Sequence, residues 1–393
     1  MLFRSEMQMS LQWDISIMKI KGGTLMEVSE VLQNLQTKKN VLLMGAPGTG
    51  KSKLMNDIAR AFENGANSIS PRHVLNANVP IQVNPDTKKI GSLPMMKFPN
   101  RKVFRTTLHQ NSKYREFLTG IMPCFDGSKD FEVSEGIIYR ANEFAKQTDS
   151  AALVILDELN RGPAIEVFGG SIVTIEPDKR LDDNNKISTN TQSFELLCPK
   201  KKEYVNYAFS PNLFILAAIN QADVSVAPLD VAFMRRWMCM RLMPDYSPIY
   251  EKFKITKNNL KQDIPDTPKD NKDVIKVAVK ALETINQKIV YGRGAEYQLG
   301  QGVFLSTSPL DDGLDSTLQF VTDVWMTIFA HIEELFYGDP NAMAYVLNAS
   351  HKKSPYELKE VEFAGEIKHI LNKPEIQANK IYELYLSILE EKQ

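Results

Sequence analysis

The stretch VLLMGAPGTGKS, from Val41 to Ser52, joins an apolar run to the phosphate-binding spacing GxxxxGK[ST]. Glycine at 45, 48 and 50 lets the backbone turn tightly and aim its N–H groups at an anion. A helix opening at Lys51 points its positive end at the same anion. Gly45, Pro47, Gly48, Thr49, Gly50, Lys51 and Ser52 are therefore the nucleotide-binding candidates. Lys51 is suited to the β- and γ-phosphates, and the Ser52 hydroxyl to Mg²⁺.

Five further residues complete a hydrolytic set. The apolar run Ala151–Leu156 delivers Asp157 and Glu158 to its carboxyl end, where a parallel strand opens on a ligand crevice. Asp157 is read as the carboxylate behind the Mg²⁺ water shell, and Glu158 as the group that orients and activates water. Asn220 ends a second apolar run and is suited to sense the γ-phosphate or the attacking water. Arg235 and Arg236 close a helix ahead of another strand. One of the two is suited to stabilise transition-state charge in a neighbouring subunit's site, and the sequence does not choose between them.

The elements that must position these residues alternate. A short lead-in, 1–23, with a strand at 15–20, precedes a helix from Thr24 to Gln36 opened by the capping box Thr24-x-x-Glu27. Strand 41–44 and helix 51–62 flank the phosphate loop, and a polar stretch follows over 65–100. A strand is predicted at 103–108, a helix over 109–120, an exposed hairpin at 124–138 and a helix to Gln147. Strand 151–156, helix 163–175, a second hairpin at 193–208, strand 213–218, a helix from Leu229 and strand 237–242 complete a core spanning 24–245. Strands alternating with helices make an α/β fold with a parallel sheet. Residues 246–273 read as a linker. Residues 274–393 read as a helical lid, with helices at 274–289, 314–337 and 375–391.

Composition excludes several classes. The net charge of −1 supplies no standing basic field for nucleic acid, so any such contact needs a local patch, a pore or a partner. Lys200-Lys201-Lys202 at a hairpin tip, and Lys97, Arg101, Lys102 and Arg105, are local basic groups that read first as solvated or structural. Cys124, Cys198 and Cys239 are widely spaced thiols with no framework pattern, and no zinc-ligand spacing occurs. No apolar run is long enough to span a bilayer and no signal-peptide core is present, so a cytoplasmic location without membrane contact is expected.

Taken together, these residues resemble the AAA+ ATPases: a P-loop parallel-sheet core with a C-terminal α-helical lid. Finer words resemble the McrB-like branch, the motor of methylcytosine-dependent restriction. They are Thr107-Leu-His-Gln110, Tyr114 to Pro123, Asp157-Glu-Leu-Asn-Arg-Gly162, Ile175-Glu-Pro-Asp-Lys-Arg180, and Asn220-Gln-Ala-Asp223 with Arg235-Arg-Trp237. In the lid, Gln298 to Phe304 is similar to the family's I-G-H-S-Y-F stretch, with Gln301 where the His would stand.

The resemblance implies a homo-oligomeric ring, a hexamer, with active sites between subunits, and a McrC-like nuclease partner. It implies Mg²⁺ and ATP or GTP, with ATP the default across the wider family. Asn220-Gln-Ala-Asp223 superficially resembles a guanine-reading word, but Asn220 is better explained as the phosphate sensor. The family's DNA-reading N-terminal domain has no counterpart in the 23 residues before the first core helix, so the chain is expected to be the motor alone, in a restriction or antiphage-defence complex that meets nucleic acid through other chains. The alternative is a MoxR-like protein-remodelling chaperone.

Overall fold

A computed structural model describes residues 28–65, 85–124, 130–222 and 229–390. The lead-in with its predicted strand, the capping box at Thr24, most of the polar stretch after 65, residues 125–129 of the predicted hairpin and Asp223 lie outside the described residues.

Five parallel strands form the central sheet, in the order β2-β5-β8-β1-β9. Here β1 is Asn40–Gly45, β2 Asn100–Thr107, β5 Ser150–Asp157, β8 Leu213–Asn220 and β9 Met238–Leu242. The pairs β3 (Thr119–Pro123) with β4 (Phe131–Glu135), and β6 (Phe194–Leu197) with β7 (Tyr204–Tyr207), are separate antiparallel hairpins. The inner strands are apolar throughout because both sheet faces are covered. Val41 and Leu43 join one core with Leu153, Ile155, Leu216 and Ala218, under the helices Val28–Lys38 and Lys51–Asn64. Leu42 points the other way, into a core with Val154, Leu156, Ile215 and Ala217. That alternation is the two-residue period of a strand.

Several boundaries differ from the sequence-based expectation. The helix predicted over 109–120 is a single turn, Tyr114–Phe117, and its last residues are strand β3. The first hairpin therefore begins at Thr119, not Cys124. The helix predicted over 163–175 is α-helical only at Ala164–Phe168, because Gly169 takes φ +48° and a 3₁₀ run, Gly169–Thr174, follows.

In the lid, the stretch read as a linker holds helices Ser247–Lys252 and Lys257–Lys261 and buries Ile249 and Ile255 in the lid core. Helices Asn271–Gly292 and Leu314–Leu335 carry that core through Leu282, Ile285, Val321, Trp325 and Ile328. The last helix spans only Ile381–Leu389. Ahead of it lies an unexpected antiparallel hairpin, β10 (Glu357–Phe363) with β11 (Glu366–Asn372).

Candidate nucleotide-binding and hydrolytic site

The sheet brings the predicted residues to one edge. Register pairs Gly45, the end of β1, with Asn220, the end of β8, and pairs Thr107 with Asp157 at the end of β5. The phosphate loop, the Asp157-Glu158 pair and Asn220 thus share the carboxyl end of three neighbouring strands. That is where an open parallel sheet binds ligands.

The loop has the shape its glycines permit. Gly48 and Gly50 take φ of +74° and +92°, and Gly50 caps the helix Lys51–Asn64. Inside the loop, Thr49 Oγ1 donates to the Ala46 carbonyl at 2.8 Å. Lys51 is buried, and its Nζ donates to the carbonyls of Gly45 at 2.7 Å and Ala46 at 3.0 Å. Burial lowers its pKa from 10.5 to about 8, while Glu158 and Asp157 pull the other way.

Ser52 and Asp157 line one cavity of about 270 Å³, together with Asn56, Arg105 and Thr107. A hydroxyl and a carboxylate facing one space at a helix N-terminus are the hard oxygen donors Mg²⁺ takes beside phosphate and water, so the residues fit that ion. Asp157 Oδ1 also accepts the Glu158 N–H at 3.0 Å, which fixes its carboxylate.

Glu158 is held from both sides. Its Oε1 accepts the Asn220 side-chain amide at 2.9 Å, and its Oε2 accepts Arg161 Nε at 3.1 Å. Its backbone is left-handed, φ 53° and ψ 45°, which is uncommon for a residue with a Cβ and ends β5 abruptly. Asn160 donates to the Asn220 carbonyl at 3.0 Å and ties the two strand ends together. Arg161 was not among the candidates. Its place one helical turn from Glu158 was the available signal.

The two arginines lie elsewhere. Arg235 and Arg236 follow the short helix Val231–Met234 and precede β9, whose first residue pairs with Val41 at the start of β1. The Asn40 amide reaches the Arg236 carbonyl at 3.2 Å. Both arginines are thus at the amino end of the sheet, roughly 15–20 Å from the chain's own phosphate loop at about 3.3 Å per strand residue. Arg236 is engaged locally: its Nε stands 3.0 Å from Glu176 Oε1, and its guanidinium reaches the Ala232 carbonyl. Arg235 is exposed, and no side-chain partner for it appears among the described residues.

Of the other basic residues, Arg101 is structural, while Lys200 and Lys201 stay exposed. Arg101 donates to the carbonyls of Phe62, Met96 and Phe98, and so closes the end of the helix Lys51–Asn64. Lys200 and Lys201 sit beyond β6 and face Glu143 and Glu203, both at 3.9 Å.

A phosphate loop, a paired acidic strand end and an Asn-ended strand on one parallel sheet define a P-loop protein of the nucleotide-hydrolase class. Known proteins narrow this. The Type IV methyl-directed restriction enzyme EcoKMcrB subunit of Escherichia coli K12 is 26% identical over 321 residues, 80% of this chain and 57% of its own length. The Type II restriction enzyme BsuMI component YdiS of Bacillus subtilis 168 is 25% identical over 231 residues, 55% of this chain and 60% of its own length. The chain is therefore related to the McrB-like AAA+ ATPases, and it spans less than two thirds of the length of these relatives. No protein-family model matches it. Among solved structures, C. elegans PCH-2 aligns over 77% of this chain and 66% of its own at 16% identity, with a TM-score of 0.35, too low to add to the fold read from the sheet.

Proposed function

We propose that this chain is a ring-forming AAA+ NTPase that hydrolyses ATP, or GTP, to drive a restriction or antiphage-defence complex with a nuclease partner. The observation that carries the hydrolytic part is the convergence of Lys51, Ser52, Asp157, Glu158 and Asn220 at one sheet edge. Lys51 and the loop N–H groups bind the triphosphate. Ser52 would hold Mg²⁺ through its hydroxyl and Asp157 through the ion's water shell; the ion would supply charge neutralisation at the β- and γ-phosphates. Glu158 takes the proton of the attacking water, and Asn220 keeps that carboxylate and the water in line.

Arg235 is the residue read as completing the site of a second copy, because it is exposed, has no side-chain partner among the described residues and cannot reach its own loop. That reading supports a homo-oligomer, with a hexamer as the size the resemblance implies. The restriction role rests on the relatives, both of which are parts of restriction enzymes by name. Among the described residues no helix is long and apolar enough to cross a membrane. A cytoplasmic location is part of the same proposal.

The test is capture from the native cell with tagged Glu158→Gln protein, with ATP in one preparation and GTP in another. The variant should retain nucleotide and lose turnover by about 100-fold or more. A co-purifying nuclease subunit supports the restriction motor, and the preparation that retains it names the nucleotide. Normal turnover in the variant removes Glu158 as the base. A remodelling substrate in place of the nuclease moves the function to the MoxR-like alternative.

A further inference from the structure

The lid meets the phosphate loop backbone to backbone. The Gly300 N–H donates to the Pro47 carbonyl at 2.9 Å, and the Gly302 N–H to the Gly48 carbonyl at 2.8 Å. Between them Gln301, only 6% exposed, donates Nε2 to the Thr49 carbonyl at 3.0 Å. Its Oε1 accepts the N–H of Asp245, on the chain leaving β9, at 3.1 Å. Both ends of a buried carboxamide are thus used, one on the loop and one on the exit from the core. The two glycines are needed for the approach. A Cβ on Gly300 would lie 2.2 Å from the Gly48 carbonyl carbon, and one on Gly302 3.0 Å from Gly48 Cα.

The direction of these bonds has a consequence. In a trans peptide the carbonyl of one residue and the N–H of the next point opposite ways. Three consecutive carbonyls, of Pro47, Gly48 and Thr49, are turned toward the lid. The N–H groups of Gly48, Thr49 and Gly50 are therefore turned away from it, into the hollow of the loop. Successive N–H groups aimed at one point are an anion nest, and the positive φ of Gly48 and Gly50 is what that nest requires. Without the lid these peptide planes would be free to rotate, because the loop's own bonds here use only Thr49 Oγ1 and Lys51 Nζ.

We infer that Gln301, with Gly300 and Gly302, is a positioning element that holds the phosphate loop in its anion-binding shape from the lid side. It contacts no phosphate. It acts through the peptide planes of the loop, so its effect is on the triphosphate and not on the base. The inference rests on the reading of this loop as the triphosphate site.

The experiment titrates full-length protein with Mg²⁺ and either ATP or inorganic triphosphate, using wild type, Gln301→Glu and Gly300→Ala, with unliganded melting temperatures as the folding control. Gln301→Glu keeps size and the acceptor for Asp245 but sets a carboxylate oxygen against the Thr49 carbonyl; Gly300→Ala separates the two backbones sterically. A loop correctly shaped a tenth of the time binds about tenfold more weakly. Both variants should lose about tenfold for ATP and for inorganic triphosphate alike, with a raised KM and a kcat within about twofold of wild type. Loss confined to ATP, or unchanged or tighter binding, overturns the inference. If one variant does not fold, the other decides. Wild type that binds neither ligand overturns the phosphate-loop reading itself, and this inference with it.

Discussion

Asn220 donates its side-chain amide to the carboxylate of Glu158 across 2.9 Å, from the end of β8 to the end of β5. The pair places the proposed water-activating group under the control of the proposed γ-phosphate sensor. A carboxylate that accepts from Asn220 on one oxygen and Arg161 on the other has few orientations left. Asn220→Ala should therefore lower turnover by about 100-fold while nucleotide affinity changes by no more than a few-fold. On a Glu158→Gln background the same change should add almost nothing, because residues acting as a unit are not additive. Steady-state hydrolysis of the single and double variants checks this, and additive losses would show that the two act separately.

Arg235 and Arg236 are neighbours with opposite expectations. Arg236 pairs with Glu176 and reaches the Ala232 carbonyl, so Arg236→Ala should lower the melting temperature and affect turnover only through folding. Arg235 has no such anchor among the described residues. Arg235→Ala should leave melting and nucleotide binding unchanged and lower turnover by about 1,000-fold or more, the usual worth of an arginine supplied in trans. Mixing supplies the decisive measurement. Arg235→Ala protein combined with Glu158→Gln protein should recover activity, since some interfaces then join an intact base to an intact arginine. No recovery in the mixture would mean that the arginine acts within its own chain or not at all.

The legible parts of the chain were those with a one-to-one link between sequence and burial. β1, β5 and β8 are sandwiched between two helical layers, and their unbroken apolar runs follow from that. The loop and Asp157-Glu158 were legible because anion binding fixes residue type and spacing. The hairpin at β3 was misplaced because Thr119-Gly-Ile-Met-Pro123 buries little and follows a helical turn with no break in polarity. The lid hairpin was missed for the same reason: Val361, Phe363, Ile367 and Ile370 are exposed, and only Leu371 of its two strands is buried, so no alternating buried face marks it. Its signal was the turn, where Ala364 and Gly365 both take positive φ in a two-residue loop. Gln301 stood in a stretch the family resemblance had marked, but its role depends on a contact between residues 252 positions apart in the chain.

Lys39 offers a pH test at the other end of the sheet. It sits at φ 61° before β1 with its ammonium 4.7 Å from the Phe214 ring centre. Burial first and the Arg180 charge second, with Asp183 opposing both, lower its pKa from 10.5 to about 8. The cost of burying the charged form is present in full below about pH 8. It is relieved as pH rises toward 10.5, because the unfolded chain then holds the proton that the folded chain has released. Wild type should therefore gain stability relative to Lys39→Met as pH climbs through that window. Denaturant unfolding of both proteins at pH 7 and pH 9.5 measures it. A difference independent of pH would show that the lysine is hydrated in the folded state.

Arg180 explains why the Ile175–Arg180 word belongs to the fold and not to the chemistry. Its guanidinium is fully buried and faces no carboxylate among the described residues; burial lowers its pKa from 12.5 to about 9. It donates instead to the carbonyls of Ile175, Ser210 and Leu213 and to Asn40 Oδ1 at 2.7 Å. Asn40 in turn donates to the Ile175 carbonyl at 2.7 Å and to that of Arg236. One side chain thus ties the starts of β1 and β8 to the turn after the 3₁₀ run and, through Asn40, to the approach to β9. Removing it would leave several acceptors buried without donors, at about 1–3 kcal/mol each when no water enters. Arg180→Met should cost about 3 kcal/mol or more, and Arg180→Lys should recover little, because one ammonium cannot span acceptors arranged around a planar fork. Nucleotide affinity of whatever protein remains folded should be unchanged, since the clasp and the phosphate loop lie at opposite ends of β1. Denaturant unfolding with a parallel nucleotide titration separates the two. Weakened binding without lost stability would place Arg180 in the site instead of beneath it.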